Sequence, residues 1–440
     1  MTPETDRDRR RRRRWTGKWS SDTLGIAWIV VLALLYLSPA WKDGPTFGPA
    51  DIGSSVSFLT SSATHSIHDV VNGDIIDEGV AWNTLDWRLV HHGELPLWND
   101  LSGNGMPLLL NFQSAPFALP TLIGYLFPLS LAFLVTVAMK MLVAGTGVYV
   151  LTRLLGGRPL ASALAGTTFM LSGSFAGWLG WSTSGPLAWL GWIAAACVLT
   201  YRAPPGRRAR AVGLLSLCVA FCIYGGSPNA YVSVAAGLAV LLVVTGLATL
   251  GARRPIDLRA TARLGAGVVG GVALSSPLWL PGIAVLRQSV FNGTNVGGGL
   301  PLGAAALLFA PGYDGLPLAS AHAPLGSYSG PSDYFETAAY VGIVALAFAG
   351  VALLRSWRRP AVAGLGVTAL LTLLLVYHLG SSAPVQHLVQ DLGLRTIALQ
   401  RMLPVLAMAV AVLAGLGLEL FLRRWRQGAT QVAFIVPIAV

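Results

Sequence analysis

Long apolar stretches, broken by short clusters of arginine, fill most of this chain. Uninterrupted apolar runs of about 18 to 22 residues have the length needed to cross the hydrocarbon core of a bilayer as a helix. They predict spans at about 24–40, 131–152, 159–177, 184–201, 211–225, 230–250, 264–283, 337–354, 361–378 and 401–421. An eleventh begins near Thr430. Lipid leaves backbone polar groups no partner but their own chain, so such runs are read as α-helices. The expectation is an all-α polytopic membrane protein of about 10–11 transmembrane helices. Residues 1–23 form a basic tail, 24–421 the membrane domain, and 422–440 a basic loop leading into the further helix. Many of the spans are rich in Gly and Ala, which suits close helix packing in lipid.

One long stretch breaks the pattern. Between about residues 41 and 113, directly after the first span, acids, His and Trp replace the apolar runs. It holds Asn72-Gly73-Asp74-Ile75-Ile76-Asp77-Glu78, Gly93-Glu94-Leu95-Pro96-Leu97-Trp98-Asn99, Gly105-Met106-Pro107 and Asn111-Phe112-Gln113-Ser114. The segment 115–128 carries Pro116, Pro120 and Pro128 and is too short and broken for a span. It reads as a re-entrant or interfacial hairpin.

Composition agrees with a membrane protein. Of the 440 residues 54% are hydrophobic and 11% charged, against roughly 25% charged in soluble domains. The formal charge of +11 does not point to nucleic acid, because the cations fall in a topological pattern. With the N-terminus in the cytoplasm, strict alternation puts 24 of the 30 basic residues inside, Arg9 to Arg14 among them. The six exceptions are Lys42, Arg88, Lys140, Arg287, Arg395 and Arg401. Of the 19 acids, 13 lie outside, and all seven His lie outside or at that edge. This bias fixes the expected orientation in a plasma membrane. The basic start resembles a signal peptide, but the many spans that follow favour an uncleaved first helix whose Arg run touches anionic lipid. Cys197, Cys218 and Cys222 lie in apolar runs and form no CxxC pair, which reads as packing.

Three external segments, 41–113, 284–336 and 379–400, are long enough to build a site. The inner loops are short and carry no GxxxxGK[ST] pattern, which argues against nucleotide-driven work there. The carboxylates Asp74, Asp77 and Glu78 are the candidate acid or base groups. Asp74 and Glu78 share a helix face, and like charges so placed raise one pKa; two solvated acids are the competing reading. Asp74 is equally suited to a turn or a helix cap. Trp82, Trp87 and Trp98 suit sugar stacking or an interfacial aromatic belt. Asn99, Asn111 and Gln113 carry amides suited to sugar hydroxyls. Arg287, Arg395 and Arg401 stand at the external edge, where a guanidinium suits phosphate or pairs with an acid. Lys140 inside a span is costly in lipid and must face protein or a water-filled cavity. His91 and His92, with His65 and His68, raise a divalent metal, but no HExxH or carboxylate triad accompanies them. Gly297 to Gly299 and Gly303 make the 284–336 loop a flexible connection or a lid.

These motifs resemble the bacterial YfhO-like membrane proteins, which look like members of the GT-C superfamily of polytopic, lipid-linked-sugar glycosyltransferases. The shared pattern runs G-x-L-P-L-W-N-P, then G-x-P-L-L-A-N-x-Q-S-A-x-F-x-P. Here Gly93 to Asp100 and Gly105 to Pro120 follow it. Gly226-Ser227-Pro228-Asn229, Glu336 with Tyr340-Val341-Gly342, and Arg395 and Arg401 before Ala414 to Glu419 follow later parts in order. Three positions depart: Glu78 stands for an amide, Asp100 for Pro and Ser227 for His. Family members tend to be longer, so the chain reads as a truncated or divergent member.

The resemblance implies a GT-C-like fold with a long first extracytoplasmic loop. It implies transfer of a sugar from a polyprenyl-phosphate donor to a cell-envelope acceptor, with inversion. Asp74 would be the base, with Asp77 and Glu78 beside it. Trp98, Asn99, Asn111, Gln113, Arg287, Arg395 and Arg401 would bind substrate. No cofactor is implied. Two rivals are a flippase or transporter for lipid-linked sugars and a non-catalytic envelope-assembly protein. A transporter should show deep charges in several spans and an inverted repeat; the sequence shows Lys140 alone and no repeat.

Overall fold

Helices begin in this chain where proline or a cap allows and end where the apolar run meets a Gly or an Arg cluster. Pro159, Pro228 and Pro360 stand in the first turn of their helices, where a missing N–H costs nothing. Asp257 caps the helix Leu258–Leu274 by accepting the Ala260 N–H at 3.0 Å. The computed structural model describes residues 6–42, 47–48, 73–288, 299–317, 327–377 and 398–426. The described residues are mostly helical with almost no strand.

A helix stands at each of the ten apolar runs, although several are short or broken. The helices are Asp6–Tyr36, Leu129–Leu154, Pro159–Met170, Leu190–Tyr201, Arg208–Tyr224, Pro228–Gly251, Leu258–Leu274, Ile343–Ser356, Pro360–Val376 and Leu403–Arg426. The run at 159–177 breaks after Met170 and resumes as Gly173–Ala176, and the run at 184–201 is split into Ser184–Ala188 and Leu190–Tyr201. Leu258–Leu274 continues as Ser276–Gln288 after a bend of 64°. Among the described residues, three helices are long and apolar enough to cross a membrane: Leu129–Leu154, Pro228–Gly251 and Leu399–Trp425. The bent pair makes a fourth if it counts as one span. The run near Thr430 lies outside the described residues.

The helix Leu403–Arg426 forms the centre. It packs against Ile343–Ser356, Pro159–Met170 and Pro360–Val376, and 78% of its apolar window is buried. Leu129–Leu154 is a second axis, packed on Pro159–Met170, Leu190–Tyr201 and Leu119–Gly124. Glycine permits the closest of these approaches. A Cβ on Gly147 would meet the Trp192 backbone N at 2.7 Å, and one on Gly191 the Val148 N at 2.6 Å. Pro228–Gly251 is peripheral, with 22% of its window buried and Val243 and Leu247 exposed. An apolar helix so exposed suits contact with lipid.

The basic loops gather at one end of the bundle. There Arg153 Nε donates to Asp22 Oδ1 at 2.7 Å, joined by the Tyr149 hydroxyl at 2.6 Å. Arg423 Nε donates to Glu419 Oε1 at 2.6 Å and the Arg158 N–H to Glu419 Oε2 at 3.0 Å. Arg202 reaches the Leu154 carbonyl at 2.8 Å, and the Tyr201 hydroxyl accepts the Asp257 N–H at 3.1 Å. Of the acid-rich segments, the described residues Asp74 to Asp86 and Glu336 lie at the other end.

Candidate functional site

The chain enters the acid-rich end through a π-helix, Ile75–Val80, which runs directly into the α-helix Ala81–His91. A π-turn of this kind is rare and recurs at functional sites. It is pinned by packing. A Cβ on Gly180 would meet Ile75 Cδ1 at 2.5 Å, and one on Gly79 the Gly180 carbonyl at 3.3 Å. Ile75, Gly79, Asn83 and Asp86 therefore form the inward side, with Ile75, Asn83 and Asp86 buried.

That geometry separates the acids. Asp74 is exposed at the start of the π-helix and makes no cap hydrogen bond, and Asp77 is exposed. Glu78 is half-buried, and its carboxyl is pushed up from the ordinary range by burial first, then by Asp74 and Asp77. The acid turned into the protein is Asp86, one of the acids of the external segment 41–113, to which the sequence pattern assigns no role. It has no exposed surface, and neither carboxylate oxygen has a partner among the described residues. Burial alone raises its pKa to about 8. A helical wheel from Ile75 would have indicated its inward face, but only once Ile75 was known to point inward.

Beside Gly79 and Asn83 lies a small cleft of about 30 Å³, with room for about two waters. Gln113, Ser114, Lys140 and Ser182 line it, with Gly185 and Gly225 on the far wall. Lys140 stands midway along Leu129–Leu154, a helix of 26 residues or about 39 Å. The neighbouring helix Leu190–Tyr201 has 12 residues. The long helix thus extends past it, and Lys140 meets the chain where it turns at Trp181. Its Nζ donates to the Trp181 carbonyl at 2.9 Å. The expectation that Lys140 faces protein or a cavity is met at this wall.

The predicted polar side chains divide in the same way. Gln113 stands at the cleft mouth, where its Oε1 accepts from Ser182 Oγ at 3.4 Å. Asn99 is buried and accepts the Leu101 N–H at 2.9 Å, and Asn111 accepts the Ser114 N–H at 2.9 Å, so both amides shape turns. Trp98 lies 53% exposed on the short hairpin that pairs Trp98 with Pro107 and Asn99 with Met106. It covers Gly105, whose φ of +93° only glycine adopts easily. Trp87 donates to the Phe127 carbonyl at 2.9 Å and stacks on His91 at 3.6 Å.

Arg401 is engaged. Its Nη2 and Nε donate to Glu336 Oε1 at 2.7 and 3.0 Å, and its guanidinium lies 5.3 Å from the Trp178 ring centre. Trp178, Trp181 and Phe335 form one aromatic cluster beneath it. Arg287 is exposed in the last turn of its helix. Arg395, Asp51, His65, His68, Gly297 and Gly298 lie outside the described residues. Among the described residues no group of three or more His, Cys, Asp or Glu is placed to hold a metal ion. The three cysteines are buried and unbridged.

No protein-family model, no curated protein and no solved structure matches this chain.

Proposed function

We propose that this chain is a multi-pass membrane glycosyltransferase of GT-C type, with its site on the extracytoplasmic face. The observation that carries the reading is the meeting of an acid-bearing π-helix with a small cleft lined by a buried lysine. The charge bias of the loops supports a cytoplasmic N-terminus, with the acid-rich end outward. The donor in this reading is a polyprenyl-phosphate sugar and the acceptor a cell-envelope glycan or lipid.

The chemistry needs one base. The Asp74 carboxylate takes the proton of the acceptor hydroxyl. The acceptor oxygen bonds to the anomeric carbon as the bond from that carbon to the phosphate oxygen breaks. The electron pair leaves with the phosphate, and the anomeric centre inverts. Exposure leaves Asp74 open to an acceptor, and Glu78 behind it supplies a second carboxyl with a raised pKa.

The test is transfer of a labelled sugar from polyprenyl phosphate by purified protein, wild type against Asp74→Asn. Transfer by wild type and its loss in the variant support the reading. Equal transfer by both removes Asp74 from the mechanism. A second reading, a transporter of lipid-linked sugars, draws on Lys140, a cation midway along a long apolar helix. Translocation of the lipid-linked sugar without transfer would favour it.

A further inference from the structure

One group of arginines at the basic end of the bundle lacks the carboxylates that compensate its neighbours. Arg153, Arg158 and Arg423 pair with Asp22 or Glu419. Between residues 202 and 263, by contrast, the chain has eight arginines and one acid, Asp257. Among the described residues Arg208 and Arg263 form no ion pair. The Asp257 carboxylate accepts the Ala260 N–H as a helix cap, and the charges of Arg263 and Arg208 act on it only from farther away. Arg263 Nε is buried without a partner among the described residues. A guanidinium keeps its charge in any such setting, so a buried N–H of this kind is costly until an acceptor reaches it.

Packing brings these two arginines together. A Cβ on Gly267 would meet Leu215 Cδ2 at 2.6 Å, and one on Gly271 would meet Val219 Cβ at 2.5 Å. Contacts four residues apart on both helices, in the same order, make Arg208–Tyr224 and Leu258–Leu274 parallel neighbours. Ser216 Oγ fixes their register by donating to the Gly267 carbonyl at 2.9 Å. Arg263 stands four residues before Gly267 on the same helix stripe, and Arg208 seven before Leu215. Both guanidinium groups therefore reach the same end of the seam, where their charges act on Asp257. The two helices stand at the surface of the bundle, with Leu217, Leu258 and Val269 exposed, so lipid can approach this end.

We propose that Arg208 and Arg263 seat the head group of an anionic phospholipid at the basic end of this helix pair. The phosphodiester of such a lipid accepts from planar, doubly donating guanidinium groups and completes the shell of Arg263 Nε. A net negative head group is favoured over a zwitterionic one, because eight arginines against one acid leave this region positive. The seat lies at the opposite end of the bundle from the acid-bearing π-helix. It does not depend on the glycosyltransferase reading and requires only that the helix pair borders lipid.

The experiment measures, by native mass spectrometry, the phospholipid held by the full chain in detergent. The probes are dioleoyl phosphatidylglycerol and dioleoyl phosphatidylcholine, each with and without inorganic phosphate. Wild type is compared with Arg208→Gln/Arg263→Gln and with Arg358→Gln/Arg359→Gln, which removes the same charge from another basic loop. Wild type should prefer phosphatidylglycerol, and Arg208→Gln/Arg263→Gln should weaken its binding about tenfold or more, the loss of at least one charge-assisted bond. Arg358→Gln/Arg359→Gln should bind as wild type does. Unchanged binding by the folded Arg208→Gln/Arg263→Gln variant overturns the proposal, as does equal weakening in both double variants, which is general attraction to charge. Equal affinity for the two lipids also overturns it. Displacement of phosphatidylglycerol by inorganic phosphate at equal concentration overturns the lipid assignment. Should the Arg208→Gln/Arg263→Gln variant fail to fold, Arg208→Gln at its exposed position decides alone: weakened phosphatidylglycerol binding supports the seat and unchanged binding overturns it.

Discussion

The Arg401 guanidinium grips a single oxygen of Glu336, with Nη2 at 2.7 Å and Nε at 3.0 Å, while the second oxygen, Oε2, is buried without a partner among the described residues. Glu336 is 6% exposed and Arg401 22%. Removing one member of a buried pair strands the other charge, at a cost of roughly 3–5 kcal/mol, less here because Arg401 touches solvent. We expect Arg401→Met to lower the thermal midpoint markedly, and the double variant Arg401→Met/Glu336→Gln to recover part of the loss. Additive single-variant losses in a double-mutant cycle would show that the two groups are not coupled.

Asp86 predicts the pH dependence of stability. Its folded-state pKa of about 8 lies above the ordinary carboxyl value of 3.8. Between those values the unfolded chain has released the proton and the folded chain holds it. Stability therefore falls as pH rises through this window, by up to about 1.4 kcal/mol per pH unit from this group. Asp86→Asn removes the titration and should leave a flatter melting profile from pH 4 to pH 8, with its largest gain over wild type near pH 8. A parallel pair of profiles would show that Asp86 is already ionised in the fold.

Asp74 should behave in the opposite way. It is exposed and caps nothing, so Asp74→Asn should change stability by no more than about 0.5 kcal/mol. Any lost sugar transfer is then chemical. The same substitution removes one of the charges that raise the Glu78 pKa, so that pKa should move down towards the ordinary carboxylate range. Infrared titration of the Glu78 carboxyl reads this directly, and an unmoved midpoint would leave burial as the whole cause.

Gly180 holds the π-helix against the bundle through Ile75. A side chain there has to displace Ile75, so Gly180→Val should free the acid-bearing segment from the cleft wall. Hydrogen exchange of residues 75–91 should rise while the helix Leu403–Arg426 stays protected. Uniform protection of both would show that Ile75 repacks without moving the π-helix.

Much of the helical framework was legible because it depends on local composition. Apolar runs require helices in lipid, and a helix stands at each of the ten runs the pattern marked. The breaks at Leu171 to Ser172 and at the 64° bend near Ser275 were not legible, because an apolar run reads the same whether it is straight or broken. The acid-rich segment was visible as composition, yet its acids could not be ranked from it. Asp74, Asp77 and Asp86 are equally polar on paper.

The sequence by itself determined where the chain is apolar enough to form buried helices, which loops carry cations, and that one polar segment concentrates the acids. Tertiary structure decided which side chains face one another. It turned Asp86 inward and left Asp74 outside, because Ile75 and Gly79 dock on Gly180, about a hundred residues later in the chain. It joined Arg401 to Glu336, and it brought Lys140 to the Trp181 carbonyl, 41 residues away, where a long helix passes the end of a shorter one. These pairings depend on helix lengths, bends and close glycine contacts acting together, and local composition encodes none of them singly.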